Sequence, residues 1–342
     1  MSVARVGLDI AKNVFQVHAI NAEGQVLLRQ RLRRPQVLTF FRKLPACTIG
    51  LEACPGAHYW ARELAAIGHE VRMMPPQYVK PYVKRQKNDS ADAEAICEAM
   101  SRPTMRFVPV KSEEQQAILA LHRMRELLIR QKGMLINALR AQLHEFGIIA
   151  AQGRNGLSEL IRLVLEPPSE RIPELARAAM MIVVEQLKDL VSRLRSLEAR
   201  ILEWHRSSIL SRRLQTIPGV GPIIASAVAA TVTNAAAFRN ARQFAAWLGL
   251  VPRQNSTGGK DRLGGITKWG DAYIRKLLVV ASCSLIRYAR GNNAAEGWLS
   301  RLLERRPAKV AAVAMANKTA RIIWAVLTQE RSFQDRSVTV AA

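Results

Sequence analysis

The segment VARVGLDIAKNVFQVHAI, residues 3–20, decides the fold of the N-terminal part of the chain. An apolar run from Val3 to Asp9 ends in an acid, and a second apolar run covers Val14 to Ile20. A short polar turn around Lys12 separates them, and such a pattern predicts two neighbouring strands. The chain therefore begins with a sheet whose first strand ends at Asp9.

The same patterning continues to residue 74. Beyond Ile20 it predicts, in order, a strand at 25–31, a helix at 36–44, a strand at 47–52, a helix at 58–67 and a strand at 70–74. Three antiparallel strands followed by helix, strand, helix and strand is the order of a ribonuclease-H-like sheet. We therefore predict an α/β N-terminal domain of this class.

The residues after 74 are predicted to be mostly helical. A helix begins near Asn88, which has good N-cap chemistry, and another covers 112–147. Residues 172–206 carry an apolar seam with steps of four and three: Val183, Leu187, Leu190, Leu194, Leu197, Ile201 and Trp204. This seam predicts a coiled-coil helix that pairs either with 112–147 of the same chain or with another subunit.

The C-terminal part is predicted to be a compact unit. It opens with the IPGVGP turn at 217–222, and an Ala-rich helix, a helix near 241–248, a Gly-rich basic loop and a helix from Asp271 follow. The predicted division is an α/β domain (1–110), a helical coiled-coil region (111–208), a mostly α C-terminal domain (209–330) and a tail (331–342).

The charge balance limits the kinds of partner. The chain has 51 Lys and Arg against 27 Asp and Glu, a formal net charge of +24, and the basic residues are spread along it. A globular protein this basic usually binds a polyanion, which favours nucleic acid over a membrane surface. The longest uncharged run, 217–238, opens with turn residues, and the start of the chain is patterned as a strand and not as a secretory signal. We therefore expect a cytoplasmic protein, nucleoid-associated when it binds DNA, without a membrane partner.

Four acids occur where a sheet and a helix would bring them together. Asp9 and Glu52 each end a predicted strand, and Asp89 and Asp92 are spaced i, i+3 on one helix face. Crowded carboxylates repel unless a cation neutralises them, and such hard oxygen ligands suit Mg²⁺ or Mn²⁺. Each acid taken singly has an ordinary alternative as a helix cap, a first-turn acid or a surface residue. Together they predict a metal site for phosphoryl transfer.

Several motifs, in order and spacing, resemble the DEDD insertion-sequence transposases, also known as bridge-RNA-guided recombinases. They are VGLDIAKNVFQVHAI, TIGLEACPGAHYW and KRQKNDSADAEAI, followed by IPGVGPIIASAV and FAAWLGLVPRQNSTGGKDRLGGITKWGDAYIRKLL. The resemblance covers essentially the whole chain. It implies a RuvC-like N-terminal fold, a coiled-coil middle, a C-terminal transposase domain and a structured RNA that pairs with donor and target DNA. The four acids of that family carry over to Asp9, Glu52, Asp89 and Asp92.

The C-terminal unit offers groups that would hold a phosphate. IPGVGP is similar to a helix–hairpin–helix turn, in which backbone N–H groups around Gly219 and Gly221 can bind a phosphate, although a tight turn before a buried helix is the alternative. Cations in and after the Gly-rich loop are Arg253, Lys260, Arg262 and Lys268. The N-terminal candidates for nucleic-acid contact are Lys12, Lys84, Arg85 and Lys87. From its residues alone, the loop is equally well a flexible surface loop.

The resemblance adds a covalent step to this loop. In the family, a serine of the loop attacks the scissile phosphate and forms a phosphoserine link to DNA, which conserves the bond energy for rejoining. Counting from the Leu-Val-Pro side of the loop favours Thr257, whereas counting back from Thr267-Lys268 favours Ser256. We assign Ser256, a primary hydroxyl, with Thr257 as an assisting hydroxyl.

The leading hypothesis is thus an RNA-guided recombinase that excises and inserts a mobile element, working as a dimer or tetramer. The two half-sites lie in different predicted domains, so they must meet in space, within one chain or across subunits. A metal-dependent endonuclease or Holliday-junction resolvase that uses water shares the four acids and is the alternative. A non-catalytic nucleic-acid-binding protein would explain the charge but not the acids.

Overall fold

The protein is represented by a computed structural model that describes residues 2–84, 88–166, 171–291 and 298–334. The chain forms two compact units, residues 1–112 and 113–342. Two of the predicted nucleic-acid contacts, Arg85 and Lys87, lie outside the described residues, as does most of the predicted tail. The further division of the second unit near residue 208 stays a prediction.

The N-terminal unit contains a five-stranded mixed sheet. Its strands are β1 (Arg5–Asp9), β2 (Val14–Ile20), β3 (Val26–Arg33), β4 (Thr48–Glu52) and β5 (Glu70–Met74). They lie in the order β3-β2-β1-β4-β5, with β1, β2 and β3 antiparallel and with β1, β4 and β5 parallel. The predicted α/β region with five strands is confirmed, while its assignment to the ribonuclease-H-like class stays a prediction.

Helices cover both faces of this sheet. They are α1 (Val37–Arg42), α2 (Ala57–Ala66), α3 (Pro76–Val79) and α4 (Asp89–Met100). Because side chains alternate along a strand, Val6 and Leu8 of β1 point to one face, where they share a buried cluster with Trp60 and Leu64 of α2. Gly7 points to the other face, which α4 covers.

Gly7 is what allows α4 to lie so close to β1. A Cβ atom at this position would overlap the backbone carbonyl of Ala93 and would lie 2.9 Å from the Cβ of Cys97. Gly50 of β4 plays a similar part, since a Cβ there would lie 3.0 Å from the sulfur of Met100. The two glycines therefore fix the height of α4 above the sheet.

The second unit is mostly helical. Its helices are α5 (Glu113–Glu145), α6 (Arg154–Leu165), α7 (Glu174–Ser207), α8 (Ile209–Gln215), α9 (Pro222–Thr231), α10 (Ala241–Trp247), α11 (Ala272–Gly291), α12 (Trp298–Arg305) and α13 (Ala308–Gln329). A two-stranded antiparallel hairpin, β6 (Pro252–Gln254) and β7 (Leu263–Ile266), interrupts the helices where the sequence predicted only a loop.

The long helices α5 and α7 pack against each other within one chain. Leu139 and Leu143 of α5 share a buried cluster with Val184 and Leu187 of α7. Every position of the predicted seam on α7 is buried or half-buried. This is the intramolecular option of the two that the sequence left open. The coiled-coil assignment and a pairing with another subunit stay predictions.

The core of the C-terminal part surrounds α9 and α13. Ala225 and Val228 of α9 lie in the same buried cluster as Ala316, Ala320 and Ile323 of α13. Of the described helices, α13 alone is long and apolar enough to cross a bilayer, with a mean hydropathy of 1.4 over a window that is 39% buried. Its packing in the core accounts for that apolar character, as it does in many globular proteins.

Candidate active site

Asp9 and Glu52 lie side by side at one edge of the sheet. Strands β1 and β4 are parallel neighbours in which Leu8 is aligned with Leu51, and the next residue of each strand is the acid. Both acids are half-buried. The carboxyl ends of parallel strands meet at the same edge, which is why two acids 43 positions apart become neighbours.

Helix α4 brings two more acids over this edge. The side chain of Asn88 caps the helix by accepting a hydrogen bond of 2.8 Å from the backbone N–H of Ala91. The first turn therefore begins at Asp89 and carries Asp92. One carboxylate oxygen from each of Asp9, Asp89 and Asp92 lies within 4.8 Å of the other two.

The charges of the acid cluster also affect the pKa of Glu52. Burial raises the pKa of the Glu52 carboxyl above its ordinary value, and the negative charges of Asp9 and Asp92 raise it further. Burial likewise raises the pKa of the neighbouring Cys54 thiol, with additional contributions from the charges of Glu52 and Asp9. The sheet edge and the first turn of α4 thus gather the four acids into one negatively charged site.

The donor set of this site suits a hard divalent cation. It consists of carboxylate oxygens, three of them close enough to share one ion, and its members range from half-buried to exposed. Mg²⁺ and Mn²⁺ prefer such oxygen ligands and keep part of their coordination shell for water or phosphate oxygens. A cation would also offset the mutual repulsion of the carboxylates.

The IPGVGP segment joins two packed helices. It connects α8 to α9, and the backbone N–H of Val220 closes the turn on the carbonyl of Ile217 at 2.9 Å. Gly219 has φ +79°, and a Cβ there would lie 2.6 Å from Cδ1 of Leu285. Gly221 is the N-cap of α9. The helix–turn–helix geometry agrees with the predicted turn, whereas its phosphate binding stays a prediction.

Ser256 lies in the exposed loop of the β6–β7 hairpin, at the centre of a hydrogen-bond network. Its hydroxyl donates to Oδ1 of Asp261 at 3.0 Å. The same hydroxyl oxygen accepts hydrogen bonds from the side-chain amide of Gln254 at 3.1 Å and from the backbone N–H of Arg262 at 3.3 Å. The Gln254 amide also donates to Oδ1 of Asp261 at 3.3 Å. Three residues, Gln254, Asp261 and Arg262, therefore hold the Ser256 hydroxyl through hydrogen bonds.

Thr257 contributes to this loop through its backbone. Its carbonyl accepts a hydrogen bond of 3.1 Å from the N–H of Lys260, and the two residues form an isolated bridge. The four predicted phosphate-binding cations of the hairpin region are all exposed: Arg253, Lys260, Arg262 and Lys268. The hydroxyl with its carboxylate acceptor therefore lies in a hairpin region that also carries exposed cations.

Two family profiles match this chain, one in its N-terminal part and one in its C-terminal part. A profile of DEDD transposases of the IS110 type matches residues 6–148, which include the four acids. A second profile, described as "Transposase IS116/IS110/IS902 family", matches residues 211–296, which include the IPGVGP turn and the hairpin.

Whole-length relatives extend the match to nearly the entire chain. A "Probable family 20 transposase" of Pseudomonas aeruginosa is 49% identical over 98% of this chain and 99% of its own length. The transposase for insertion sequence element IS1328 of Yersinia enterocolitica is 39% identical over 97% of this chain and 99% of its own length. The transposase for insertion sequence element IS1111A of Coxiella burnetii is 37% identical over 96% and 91%.

The chain belongs to the IS110/IS116 family of insertion-sequence transposases. It is therefore an enzyme that processes DNA.

Two of the predicted N-terminal cations of this transposase, Lys84 and Lys12, lie within the described residues. Lys84 forms an ion pair of 2.5 Å with Glu94, which also pairs with Arg29 at 3.3 Å. Lys12 is exposed in the turn after Asp9, where its carbonyl accepts a hydrogen bond from Arg34 at 3.3 Å. A contact of Lys84 with nucleic acid would have to compete with Glu94, whereas Lys12 is exposed in the turn that follows Asp9.

Sequence reasoning missed two residues of the transposase hairpin, Gln254 and Asp261. One signal in the sequence points to the second of them. Asp261 is the only Asp or Glu between Glu203 and Asp271, a stretch that holds nine Lys and Arg. An acid isolated in so basic a segment is a candidate for a specific role, because it opposes the binding of phosphate by its neighbours.

Proposed function

We propose that this transposase cuts and rejoins DNA through a covalent phosphoserine intermediate, with Ser256 as the nucleophile and with Asp9, Glu52, Asp89 and Asp92 as ligands of Mg²⁺ or Mn²⁺. The carboxylate cluster is the observation that carries the metal half of the proposal. The hydrogen-bonded hydroxyl of Ser256 is the observation that carries the covalent half.

The order of the four acids supports the metal half. Asp, Glu, Asp and Asp follow one another along the chain in the order that the name of the matching DEDD profile spells out. When bound, a divalent ion would polarise the scissile phosphate and stabilise charge on the leaving oxygen. The chain itself contributes the acids that hold the ion, at a height above the sheet that Gly7 and Gly50 fix.

The covalent half concerns the hairpin. The Ser256 oxygen would attack phosphorus, so that an Oγ–P bond forms and the bond from phosphorus to the 3′-oxygen breaks. A 3′-hydroxyl of another strand would later reverse this exchange and release the serine. Rejoining then needs no external energy source, because the phosphodiester is conserved as a phosphoserine ester.

The family resemblance adds a structured guide RNA that pairs with donor and target DNA, a RuvC-like fold for the N-terminal sheet, and a coiled coil formed by α5 and α7. The sequence pattern adds a dimer or tetramer that acts in the cytoplasm on nucleoid DNA. The net charge of +24 supports nucleic-acid partners of either kind. The half-sites must act on the same phosphate in the working assembly.

A test for a covalent adduct separates the proposal from its rivals. The full chain, RNA transcribed from the non-coding flanks of its element, Mg²⁺ and end-labelled duplex carrying the element's ends are incubated, denatured and separated by size. We expect labelled protein with wild type and with Thr257→Val, and none with Ser256→Ala. An adduct that Ser256→Ala keeps and Thr257→Val loses would move the nucleophile to Thr257.

The same experiment addresses the alternative enzyme. A metal-dependent endonuclease or junction resolvase would cut the labelled DNA in the presence of Mg²⁺ without any adduct, and Ser256→Ala would cut as well as wild type. That outcome would refute the covalent half and leave the carboxylate site standing. Loss of cutting in Asp9→Asn under conditions where DNA still binds would locate the metal chemistry at the carboxylates.

A further inference from the structure

We propose that Asp261 is a catalytic residue of this transposase, the general base that takes the proton from Ser256 when the serine attacks phosphorus. This role rests on the proposed function, since it requires Ser256 to be the nucleophile. It goes beyond the four acids and the serine because it adds a fifth carboxylate, which lies in the C-terminal unit and holds no metal.

The geometry has the features that a nucleophile and its base require. The hydroxyl of Ser256 donates its hydrogen to Oδ1 of Asp261 at 3.0 Å, a distance within the range for proton transfer. The amide of Gln254 donates to both oxygens, at 3.1 Å to Ser256 and at 3.3 Å to Asp261, and so orients the pair. This is the arrangement of nucleophile, base and orienting group that recurs in enzymes with activated hydroxyls.

A second hydrogen-bond donor to the Ser256 oxygen favours loss of the hydroxyl proton. The backbone N–H of Arg262 points at the Ser256 oxygen from 3.3 Å. It would stabilise the negative charge that develops on that oxygen as its proton moves to Asp261. The N–H belongs to the residue after Asp261, so consecutive residues of the hairpin supply the base and this donor.

The charge pattern argues against a purely structural role. Asp261 is the only acid in a stretch with nine Lys and Arg, and it is exposed in the loop. A negative charge there repels DNA phosphates, so its presence weakens binding. A neutral asparagine would offer the same acceptor oxygen to Ser256 and Gln254 without that repulsion. The carboxylate is therefore explained by basicity, which an amide lacks.

Each proton and electron pair in the proposed step has a donor and an acceptor. The Ser256 hydroxyl gives its proton to the Asp261 carboxylate while its oxygen forms the bond to phosphorus. The 3′-oxygen of the cleaved strand leaves with the electron pair of the broken bond and takes a proton from water. In the rejoining step, the incoming 3′-hydroxyl releases its proton to solvent, and the proton on Asp261 returns to the departing serine oxygen.

Asp261→Asn tests this step because it removes the basicity and keeps the acceptor oxygen. We expect the single-turnover rate of adduct formation, at saturating DNA and in the assembly described above, to fall by about 10²–10⁴-fold. The affinity for the same DNA should stay unchanged or increase, since one repulsive charge is lost. Asp261→Glu should recover at least about tenfold of the lost rate, because it restores a carboxylate.

The matched control makes the same chemical change elsewhere in the unit. Asp189→Asn on α7 loses an exposed ion pair with Arg193, 2.8 Å long, and should leave the adduct rate within about twofold of wild type. An adduct rate of Asp261→Asn within threefold of wild type would overturn the assignment. A second pattern would also overturn it: Asp261→Asn forms the adduct slowly and binds DNA more weakly, and Asp261→Glu recovers none of the rate. Asp261 would then only stabilise the structure of the hairpin loop.

The two hypotheses fail differently. If wild type forms no adduct, or if Ser256→Ala keeps it, the proposed function fails and the role of Asp261 fails with it. If Ser256→Ala abolishes the adduct and Asp261→Asn forms it at the wild-type rate, only the role of Asp261 is refuted.

Discussion

Neutralising one acid of the carboxylate cluster should stabilise the protein in the absence of metal. Asp92→Asn is the most informative change, because one Asp92 oxygen lies within 4.8 Å of an oxygen of Asp9 and of Asp89. The asparagine keeps the size and shape of the side chain. It removes the charge that opposes both neighbours, so the free energy of unfolding should rise when no cation is bound.

The expected size follows from the separations. Two unit charges 4.8 Å apart repel by about 0.9 kcal/mol in water and by about 3.5 kcal/mol at an effective dielectric constant of about 20. Asp89 is exposed and takes the lower value, while half-buried Asp9 lies between the two. The mutation also removes an acid from the first turn of α4, which costs about 0.3–1 kcal/mol. A net gain of about 1–4 kcal/mol remains.

Divalent metal should reverse the ranking. A ligand at 100 times its dissociation constant stabilises the folded state by about 2.7 kcal/mol, and Asp92→Asn should lose most of that gain. Urea unfolding of the full chain, followed by circular dichroism in EDTA and in Mg²⁺, measures both effects. Hydrogen exchange of the backbone amides of β1 and β4 shows whether both stability effects arise in the N-terminal unit.

Two results would refute this reasoning. One is an Asp92→Asn protein that is less stable than wild type in EDTA, since repulsion between the carboxylates would then not destabilise the wild-type fold. The other is an equal gain from Mg²⁺ in variant and wild type, since Asp92 would then not hold the ion. Asp189→Asn, which changes an exposed pair, should stay within about 0.5 kcal/mol of wild type in both buffers.

Three further predictions concern the approach of α4, the response to acid and the DNA interface. Gly7→Ala should destabilise the fold by about 1–3 kcal/mol in urea unfolding and weaken Mg²⁺ binding, because the added Cβ would meet the Ala93 carbonyl. The control is Gly133→Ala, which has open space around it in the interior of α5 and should stabilise the fold by about 0.5–1 kcal/mol. Burial, reinforced by the charge of Arg125, lowers the pKa of His122 from 6.5 to about 4, so the unfolded state binds the proton first as the pH falls. The free energy of unfolding should therefore decrease by up to about 3 kcal/mol between pH 6.5 and pH 4. Urea titrations at each pH should show that His122→Gln lacks this decrease. Arg262→Ala should reduce the slope of log affinity against log salt by about one unit in filter-binding measurements with duplex DNA, and an unchanged slope would exclude a phosphate contact.

The N-terminal sheet could be predicted because its sequence signals are local and strong. Strands such as Val14–Ile20 combine apolar alternation with clear turns, and the predicted and observed bounds of this strand coincide. The start of α4 was predictable from the capping chemistry of Asn88. The register that sets Asp9 beside Glu52 needed only the rule that parallel strands end at the same edge.

The hairpin and the helix α6 are two elements that were missed for identifiable reasons. Strands β6 and β7 are exposed and contain three or four residues each, so they show no alternation between buried and exposed positions. The helix Arg154–Leu165 starts in a Gly-rich stretch that resembles a turn, although Leu160 and Val164 on one face of it are buried. The hairpin is formed by pairing between its own two short strands, and the helix packs in a buried cluster with residues of α5 and α7. The pairing of so short a hairpin leaves no periodic pattern in the local sequence.

The carboxylates and the serine differ in how sequence can reveal them. Four acids at two strand ends and one helix turn form a pattern that predicts their meeting, because regular elements determine the distances. A hydroxyl in a loop has no such frame, and neither periodicity nor spacing distinguishes Ser256 from Thr257. In the structure Asp261 accepts a hydrogen bond from the Ser256 hydroxyl, whereas Thr257 accepts one through its backbone carbonyl, and this difference supports the proposed choice of Ser256. Charge gives a signal that periodicity does not. In a segment with nine Lys and Arg, the single acid Asp261 is a candidate for a chemical role. If Asp261→Asn proves as active as wild type, that use of charge contrast fails, and the choice of Ser256 over Thr257 then rests on the serine and threonine variants alone.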